Sequence, residues 1–254
     1  MMHRAKKRFG QNFLNDTYII EQIIAIINPQ TQDFLVEIGP GLGALTTPLL
    51  QHLIQLHAIE LDRDIVALLK TNFKSNLIIH EADALKFDFT LFKTPKLRVV
   101  GNLPYNISTP LLFHLAKFSH IADMHFMLQK EVVERICASP DCHSYGRLSI
   151  MLQYRFDCRK MLDVSREFFD PKPQVESAII RLCPKPREQW QDIDEKKLNL
   201  IVTQAFGQRR KTVSNSLKNL ISKESLEQLH IDTNKRAENL TVAEYLKLAT
   251  LPLS

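Results

Sequence analysis

The sequence predicts an α/β fold, a parallel sheet with crossover helices, followed by a small all-helical appendix. Three observations predict it. Between residues 34 and 138, short apolar runs alternate with helical patterns, the rhythm of a parallel sheet. Three of the 7 glycines, Gly39, Gly41 and Gly43, cluster directly after the first of those runs. Residues 193–254 carry four helical patterns, one glycine and no strand pattern.

The elements follow in order. Residues 16–28 place Ile19, Ile20, Ile23, Ile24 and Ile27 at helical spacing, with Asp16 as N-cap and Pro29 beyond the end. FLVEI (34–38) is a strand running into the glycines. ALTTPLLQHL (44–53) is a helix whose start Pro48 bends or shortens. QLHAI (55–59) is a strand, DRDIVALLKTNF (62–73) a helix, and NLIIH (76–80) and KLRVVGN (96–102) are strands. TPLLFHLAKF (109–118) is a helix with Ser108 as N-cap, DMHFMLQ (123–129) a strand and KEVVERICA (130–138) a helix. Residues 140–149 read as a polar loop, 150–182 as further strand and 183–192, with two prolines, as a linker. The domains are therefore expected at 1–183 and 184–254.

Composition narrows the function. The chain has 254 residues, 44% hydrophobic and 24% charged, which is globular, and a net charge of +5, which suits a polyanionic partner. Cys137, Cys142, Cys158 and Cys183 show neither CxxC nor Cys/His ligand spacing, so no metal site is expected and the thiols read as reduced. No apolar segment follows the basic N-terminus, and no apolar stretch reaches the ~18 residues of a membrane helix. The reading is a soluble cytoplasmic protein, monomeric by default, without a membrane partner.

The block VEIGPGLGALT (36–46) places glycines between a strand and a helix, where backbone N–H groups can approach a ligand. Gly39, Gly41 and Ala44 also fit a dinucleotide fingerprint, and a merely tight turn is the bland alternative. Further strand ends add polar groups. Glu60 lies roughly 20 residues after Gly39, where an acid hydrogen-bonds a ribose in such folds. Asp83 follows the third strand and Asn102 ends the fourth. Glu37 sits two residues before Gly39, and an acid near the ligand suits the cationic amino group and sulfonium of S-adenosylmethionine better than a pyrophosphate.

GNLPYNIS (101–108) is the most specific stretch. Asn102 offers an amide carbonyl, Pro104 restricts the backbone so that the Leu103 carbonyl points into the pocket, and Tyr105 supplies a flat π face. Two acceptors converging on an exocyclic amine hold both its N–H groups, and an aromatic face stacks the base that carries it. Adenine N6 is a poor nucleophile, because its lone pair is delocalised into the ring. Such contacts favour a pyramidal nitrogen aimed at a sulfonium methyl, so catalysis is positioning and electrostatics. In FFDPKPQVES (168–177), Phe169 is either the second face for that base or an ordinary core residue.

Together, RFGQNFL (8–14), EIGPGLGALT (37–46), EADAL (81–85), GNLPYNIS (101–108), FFDPKPQVESAIIRL (168–182) and AFGQRRKTVSNSLK (205–218) closely resemble the ribosomal RNA adenine dimethyltransferase family, small-subunit (16S) type, from about residue 4 to about residue 250. The resemblance implies a class I methyltransferase with a Rossmann-like sheet and a small helical C-terminal domain. It implies transfer of four methyl groups from S-adenosylmethionine to N6 of two adjacent adenosines in a hairpin loop near the 3′ end of small-subunit rRNA. It also implies an assembling small ribosomal subunit as partner. By motif match, cofactor contacts fall on Asn12, Leu14, Gly39, Glu60, Asp83 and Asn102. Pocket roles fall on Asn102, Leu103, Pro104 and Tyr105, with Phe169 as the second stacking aromatic. Only the resemblance gives Asn12 and Leu14 a role.

Arg4, Lys6, Lys7 and Arg8 precede any acid, and Arg209, Arg210, Lys211, Lys218 and Lys223 lie in 205–223 without one. Charge runs are often solvated faces, but beside a pocket for an extruded base they point to phosphate contact. Three other readings stand beside this one: a large-subunit (23S) adenine methyltransferase, a non-catalytic ribosome assembly factor, and a nicotinamide oxidoreductase, which leaves Asn102, Pro104 and Tyr105 unexplained.

Overall fold

The structure, a computed structural model, describes residues 12–73, 75–190 and 192–252. Its strands are β1 (Phe13–Leu14), β2 (Phe34–Ile38), β3 (Leu56–Glu60), β4 (Leu77–Glu81), β5 (Leu97–Asn102), β6 (Ile121–Gln129), β7 (Phe156–Val164), β8 (Phe169–Asp170) and β9 (Ser177–Pro184). Its helices are α1 (Thr17–Ile27), α2 (Thr46–His52), α3 (Arg63–Asn72), α4 (Ser108–Leu115), α5 (Lys130–Cys137), α6 (Arg147–Gln153), α7 (Glu195–Gly207), α8 (Val213–Leu217), α9 (Lys223–Gln228) and α10 (Val242–Thr250). The chain divides into two compact units, Met1–Val133 with Arg159–Cys183 and Glu134–Cys158 with Pro184–Ser254. The helical appendix is thus joined by an earlier segment that a boundary at 183/184 leaves out.

The main sheet has the order β4-β3-β2-β5-β6-β9-β7. The strands from β4 to β6 run parallel and β9 is antiparallel to β6. Leu35, Val36, Leu56, Ala58, Val99 and Val100 are all fully buried, which is why these strands read as continuous apolar runs rather than alternating ones. Helix α1 buries Ile19, Ile23, Ile24 and Ile27 in the same cluster as Leu35 and Leu56. Asp16 caps it as expected, accepting from the Ile19 amide at 2.9 Å. Helix α2 begins at Thr46, so Pro48 falls in its first turn, where its missing N–H leaves nothing unsatisfied.

Three local expectations are corrected. The residue before α4 is Ile107, not Ser108; the turn from Pro104 to Ile107 already starts the helix, and Ser108 Oγ instead donates to the Tyr105 carbonyl at 3.0 Å. Residues 147–153 form a helix where loop and strand were expected. Leu148, Ile150, Met151 and Leu152 are buried all round it, so no 3.6-residue period is visible, and Ser149 Oγ accepts from the Gly146 amide to start it. The proline-rich stretch after Cys183 is packed rather than a free linker: the Arg155 guanidinium lies 4.8 Å from the Trp190 ring and 5.0 Å from that of Tyr154.

Two polar clusters support the sheet. Arg98 on β5 donates to Asp33 at 2.5 Å, Asp123 at 3.0 Å and the Ile27 carbonyl at 2.6 Å, tying the end of α1 to β5, β6 and the residue before β2. On β3 and β4, His57 Nδ1 lies 3.0 Å from His80 Nε2, and the His57 ring stacks on Phe34 at 4.7 Å. Burial lowers both pKa values, that of His57 to about 4, with His80 adding to the shift at His57. The unfolded chain binds protons on these rings below about pH 6.5 that the folded chain refuses until lower pH. Stability from this pair is therefore complete above pH 6.5 and lost as pH falls toward 4. In urea titrations across that window, His57→Gln is expected to show a shallower fall than the unmodified chain; equal slopes would refute the assignment.

Candidate active site

A cleft of about 1120 Å³ opens in the first unit at the carboxyl ends of β2, β3 and β5. Open α/β sheets place ligands at this edge, because there the loops diverge and the amides of the following helices point outward. The glycine loop forms one wall. Gly39 and Gly41 have φ of 66° and 54°, a region that L side chains rarely adopt. A Cβ on Gly41 would also lie 3.2 Å from the Phe13 ring, a tight contact that would make the ring give by a few tenths of an ångström.

The electrostatics of this cleft are one-sided. Glu37, Glu60, Asp83 and Asp170 line it, and among the described residues no Lys, Arg or His does. Glu37 is 1% exposed, and its Oε2 accepts from Thr46 Oγ1 at 2.7 Å. Burial pushes its carboxyl up to about 7, against the lowering effect of that hydrogen bond. Glu60 Oε1 accepts from the Leu61 and Asp62 amides, each at 2.8 Å. Burial raises this carboxyl too, opposed by those amides and by that of Gly41. Asp83 Oδ1 accepts from the Leu85 amide at 3.0 Å. Carboxylates held by backbone amides are fixed in place and accept further hydrogen bonds. Such a lining repels a pyrophosphate and attracts a cation, and it fits the cationic cofactor inferred from Glu37.

At the end of β5 the chain turns through Asn102, Leu103, Pro104 and Tyr105, all of which line the cleft. Asn102 Nδ2 donates to the Asn12 carbonyl at 3.1 Å. That bond fixes which way the amide points: nitrogen toward the N-terminal segment, Oδ1 on the opposite side as an acceptor. Asn12 is brought there by β1, which pairs antiparallel with β8 in the register Phe13↔Asp170 and Leu14↔Phe169. Two motifs far apart in the sequence thus form one small ribbon beside the cleft. The Tyr105 hydroxyl lies 2.8 Å from Ser177 Oγ.

Every residue assigned to the cofactor or pocket from sequence lines this cleft except Phe169. That ring is 4% exposed and packs in the core cluster with Leu14 and Val164, while its neighbours Asp170 and Pro171 line the cleft. Of the two readings offered for Phe169, the structure places it as the core residue. Among the basic residues, Arg4, Lys6, Lys7 and Arg8 lie outside the described residues. Arg209 is engaged within the fold: it donates to Glu238 at 2.6 Å and to the His143 carbonyl at 2.6 Å. Glu238 lies outside 205–223, so the acid-free run conceals this pairing. Arg210, Lys211 and Lys218 are exposed. Sequence reasoning missed Phe13, Leu61 and Pro171. Leu61 had a signal, an apolar residue directly after the strand-end acid that is 50% exposed.

The comparisons agree with this geometry. The family model described as Ribosomal RNA adenine dimethylase matches residues 2–251. A protein named Ribosomal RNA small subunit methyltransferase A, from Laribacter hongkongensis (strain HLHK9), is 53% identical over 250 residues, covering 97% of this chain and 95% of that one. A solved dimethyladenosine transferase from Plasmodium falciparum superposes with a TM-score of 0.81 at 27% identity, covering 93% of this chain and 95% of that one. The 23S rRNA methyltransferase ErmE, at a TM-score of 0.74 and 21% identity over 94% and 98% of the two chains, shares the fold. With a class I methyltransferase sheet, an acid-lined cleft and a family match over nearly its whole length, the chain belongs to the ribosomal RNA adenine dimethylase family.

Proposed function

We propose that this enzyme uses S-adenosylmethionine to dimethylate N6 of two adjacent adenosines in a hairpin loop near the 3′ end of 16S rRNA, acting on an assembling small ribosomal subunit. One observation carries the reading: the Asn102 amide nitrogen is committed to the Asn12 carbonyl, which leaves its oxygen as an acceptor in an acid-lined cleft. The 53% identical relative is named for the small subunit, which favours that substrate over the large one.

When bound, S-adenosylmethionine supplies an electrophilic methyl group on a sulfonium. Glu37, Glu60 and Asp83, with the backbone of Gly39 and Gly41 and the segment Asn12–Leu14, are the residues that hold it. Asn102 Oδ1 and the Leu103 carbonyl accept the two N6–H groups of the target adenine, and Tyr105 stacks on its ring. Accepting from both hydrogens draws the N6 lone pair out of conjugation and aims it. Asn102 does not titrate, so its part is to orient the nucleophile and not to remove its proton. Pro104 stiffens the turn so that both acceptors keep their direction.

The first unit is assigned the transfer, and the second, with Arg210, Lys211 and Lys218 on its surface, the binding of rRNA. A cytoplasmic monomer is the assigned state; no helix among the described residues is long and apolar enough to cross a membrane. Incubation with labelled S-adenosylmethionine and undermethylated small or large subunits tests the reading. Label on N6 of adjacent small-subunit adenosines is expected; label confined to large subunits, or binding without transfer, would refute it. Reversing charge at Arg210 and Lys211 is expected to weaken subunit binding and to flatten its salt dependence, by about one unit of log–log slope for each phosphate no longer neutralised. An unchanged slope would remove these residues from the interface.

A further inference from the structure

We propose that Ser177 is a positioning residue for the transfer, holding the long axis of the Tyr105 ring in the direction that brings its face over the target base; the inference rests on the functional reading above. Tyr105 follows the turn at the end of β5 and lines the cleft. It is tethered at two points. Its carbonyl accepts from Ser108 Oγ at 3.0 Å, and its hydroxyl lies 2.8 Å from Ser177 Oγ. The phenolic oxygen lies on the axis of the Cβ–Cγ bond. A tether there leaves the ring free to turn about that axis but stops it swinging about Cα–Cβ, so the direction of its long axis is set.

Ser177 is itself anchored in the sheet. It is fully buried and opens β9, where its register partner is Gln129 at the end of β6. The residues that follow it, Ala178, Ile179 and Ile180, are buried and apolar. A fully buried hydroxyl in such a strand requires a partner, and the partner it has is a cleft residue rather than a core one. The sheet thus transmits a fixed point across 72 positions of sequence to the aromatic face. The phenol keeps its proton, since burial pushes it above its usual value of 10.0, so the pair is a neutral hydrogen bond. A ring whose long axis is already directed has only its rotation about that axis left to settle when the base arrives, which places the benefit in the bound complex.

The test uses the full chain, undermethylated small subunits and steady-state transfer. Ser177→Ala, Tyr105→Phe and the double variant are compared for kcat and for KM toward S-adenosylmethionine. Loss of one neutral hydrogen bond predicts a fall in kcat of about 5- to 10-fold in each single variant, with the cofactor KM unchanged and the double variant no worse than either single. Should Ser177→Ala not fold, Ser177→Cys, nearly the same size with a weak donor, takes its place. A kcat within twofold of the unmodified chain, losses that multiply in the double variant, or a loss confined to KM would overturn the inference. If the unmodified chain transfers nothing to small-subunit adenosines, the functional reading falls and this inference with it; if it transfers normally while Ser177→Ala matches it, the inference alone falls.

Discussion

Asn102→Ala is expected to leave the chain folded and to lower methyl transfer by about 10²- to 10³-fold, the range seen when one preorganised hydrogen-bonding group is removed from a reacting centre. The size follows from what the residue does. Its Nδ2 is committed to the Asn12 carbonyl, so Oδ1 is aimed without needing the substrate to order it. Alanine removes both ends at once: the acceptor assigned to N6 and the bond that holds the segment before β1 against the end of β5. The fold should survive, because Asn102 is half-buried at a strand end and contributes no apolar core. Asn102→Asp separates the two effects. It retains an acceptor but loses the donor to Asn12 and adds a fifth carboxylate to a cleft that already holds Glu37, Glu60, Asp83 and Asp170. We expect its loss to fall between those of the unmodified chain and Asn102→Ala for transfer. Single-turnover transfer with a thermal melt by circular dichroism decides the matter; near-normal turnover in Asn102→Ala would end the proposed mechanism.

How much of this site the sequence made legible depended on whether the physics was local. The glycine loop was legible because a positive φ at Gly39 and Gly41 is a property of single residues. Glu60, Asp83 and Asn102 were legible because each directly ends or follows an apolar run. What was not legible required a partner from elsewhere in the chain. Ser177 looks like any serine until the Tyr105 hydroxyl is placed beside it. The segment Asn12–Leu14 acquires its position through partners distant in sequence, the strand Phe169–Asp170 and the side chain of Asn102. The pairing with Phe169–Asp170 turns Phe169 inward, which no pattern within FFDPKPQVES could decide. Arg98 lies in an apolar strand and reads as an exception; its carboxylates, Asp33 and Asp123, come from separate elements. Arg209 shows the converse error. Its neighbourhood in sequence is free of acids, yet the fold supplies Glu238. Helix α6 was missed for a different reason: buried on nearly all sides, it shows no amphipathic period.

Gly101→Ala is expected to be the most damaging substitution of a single small residue, lowering stability by about 1–3 kcal/mol and transfer by about 100-fold. An ideal Cβ at Gly101 would lie 2.4 Å from the Ile38 carbonyl oxygen. The obstacle is backbone, not the end of a flexible side chain, so no rotamer change relieves it and β5 must move away from β2. These two strands are paired in the sheet through Glu37↔Val100, one residue before the clash. The displacement therefore falls on Ile38, which leads into Gly39, and on Gly101, which leads into Asn102. Both halves of the site shift together, the wall assigned to the cofactor and the acceptor assigned to the base. A change in stability alone could arise from any overpacked glycine, and Gly207→Ala provides the contrast. Beyond its chain neighbours and the backbone of its own helix, no atom lies within 4 Å of a Cβ built at Gly207, at the end of α7, so that variant should keep full activity and stability. Urea unfolding and single-turnover transfer on both variants would distinguish the cases. If Gly101→Ala lost stability but kept its transfer rate in the folded state, the close approach of β2 and β5 would be a packing detail and not the feature that aligns cofactor and base.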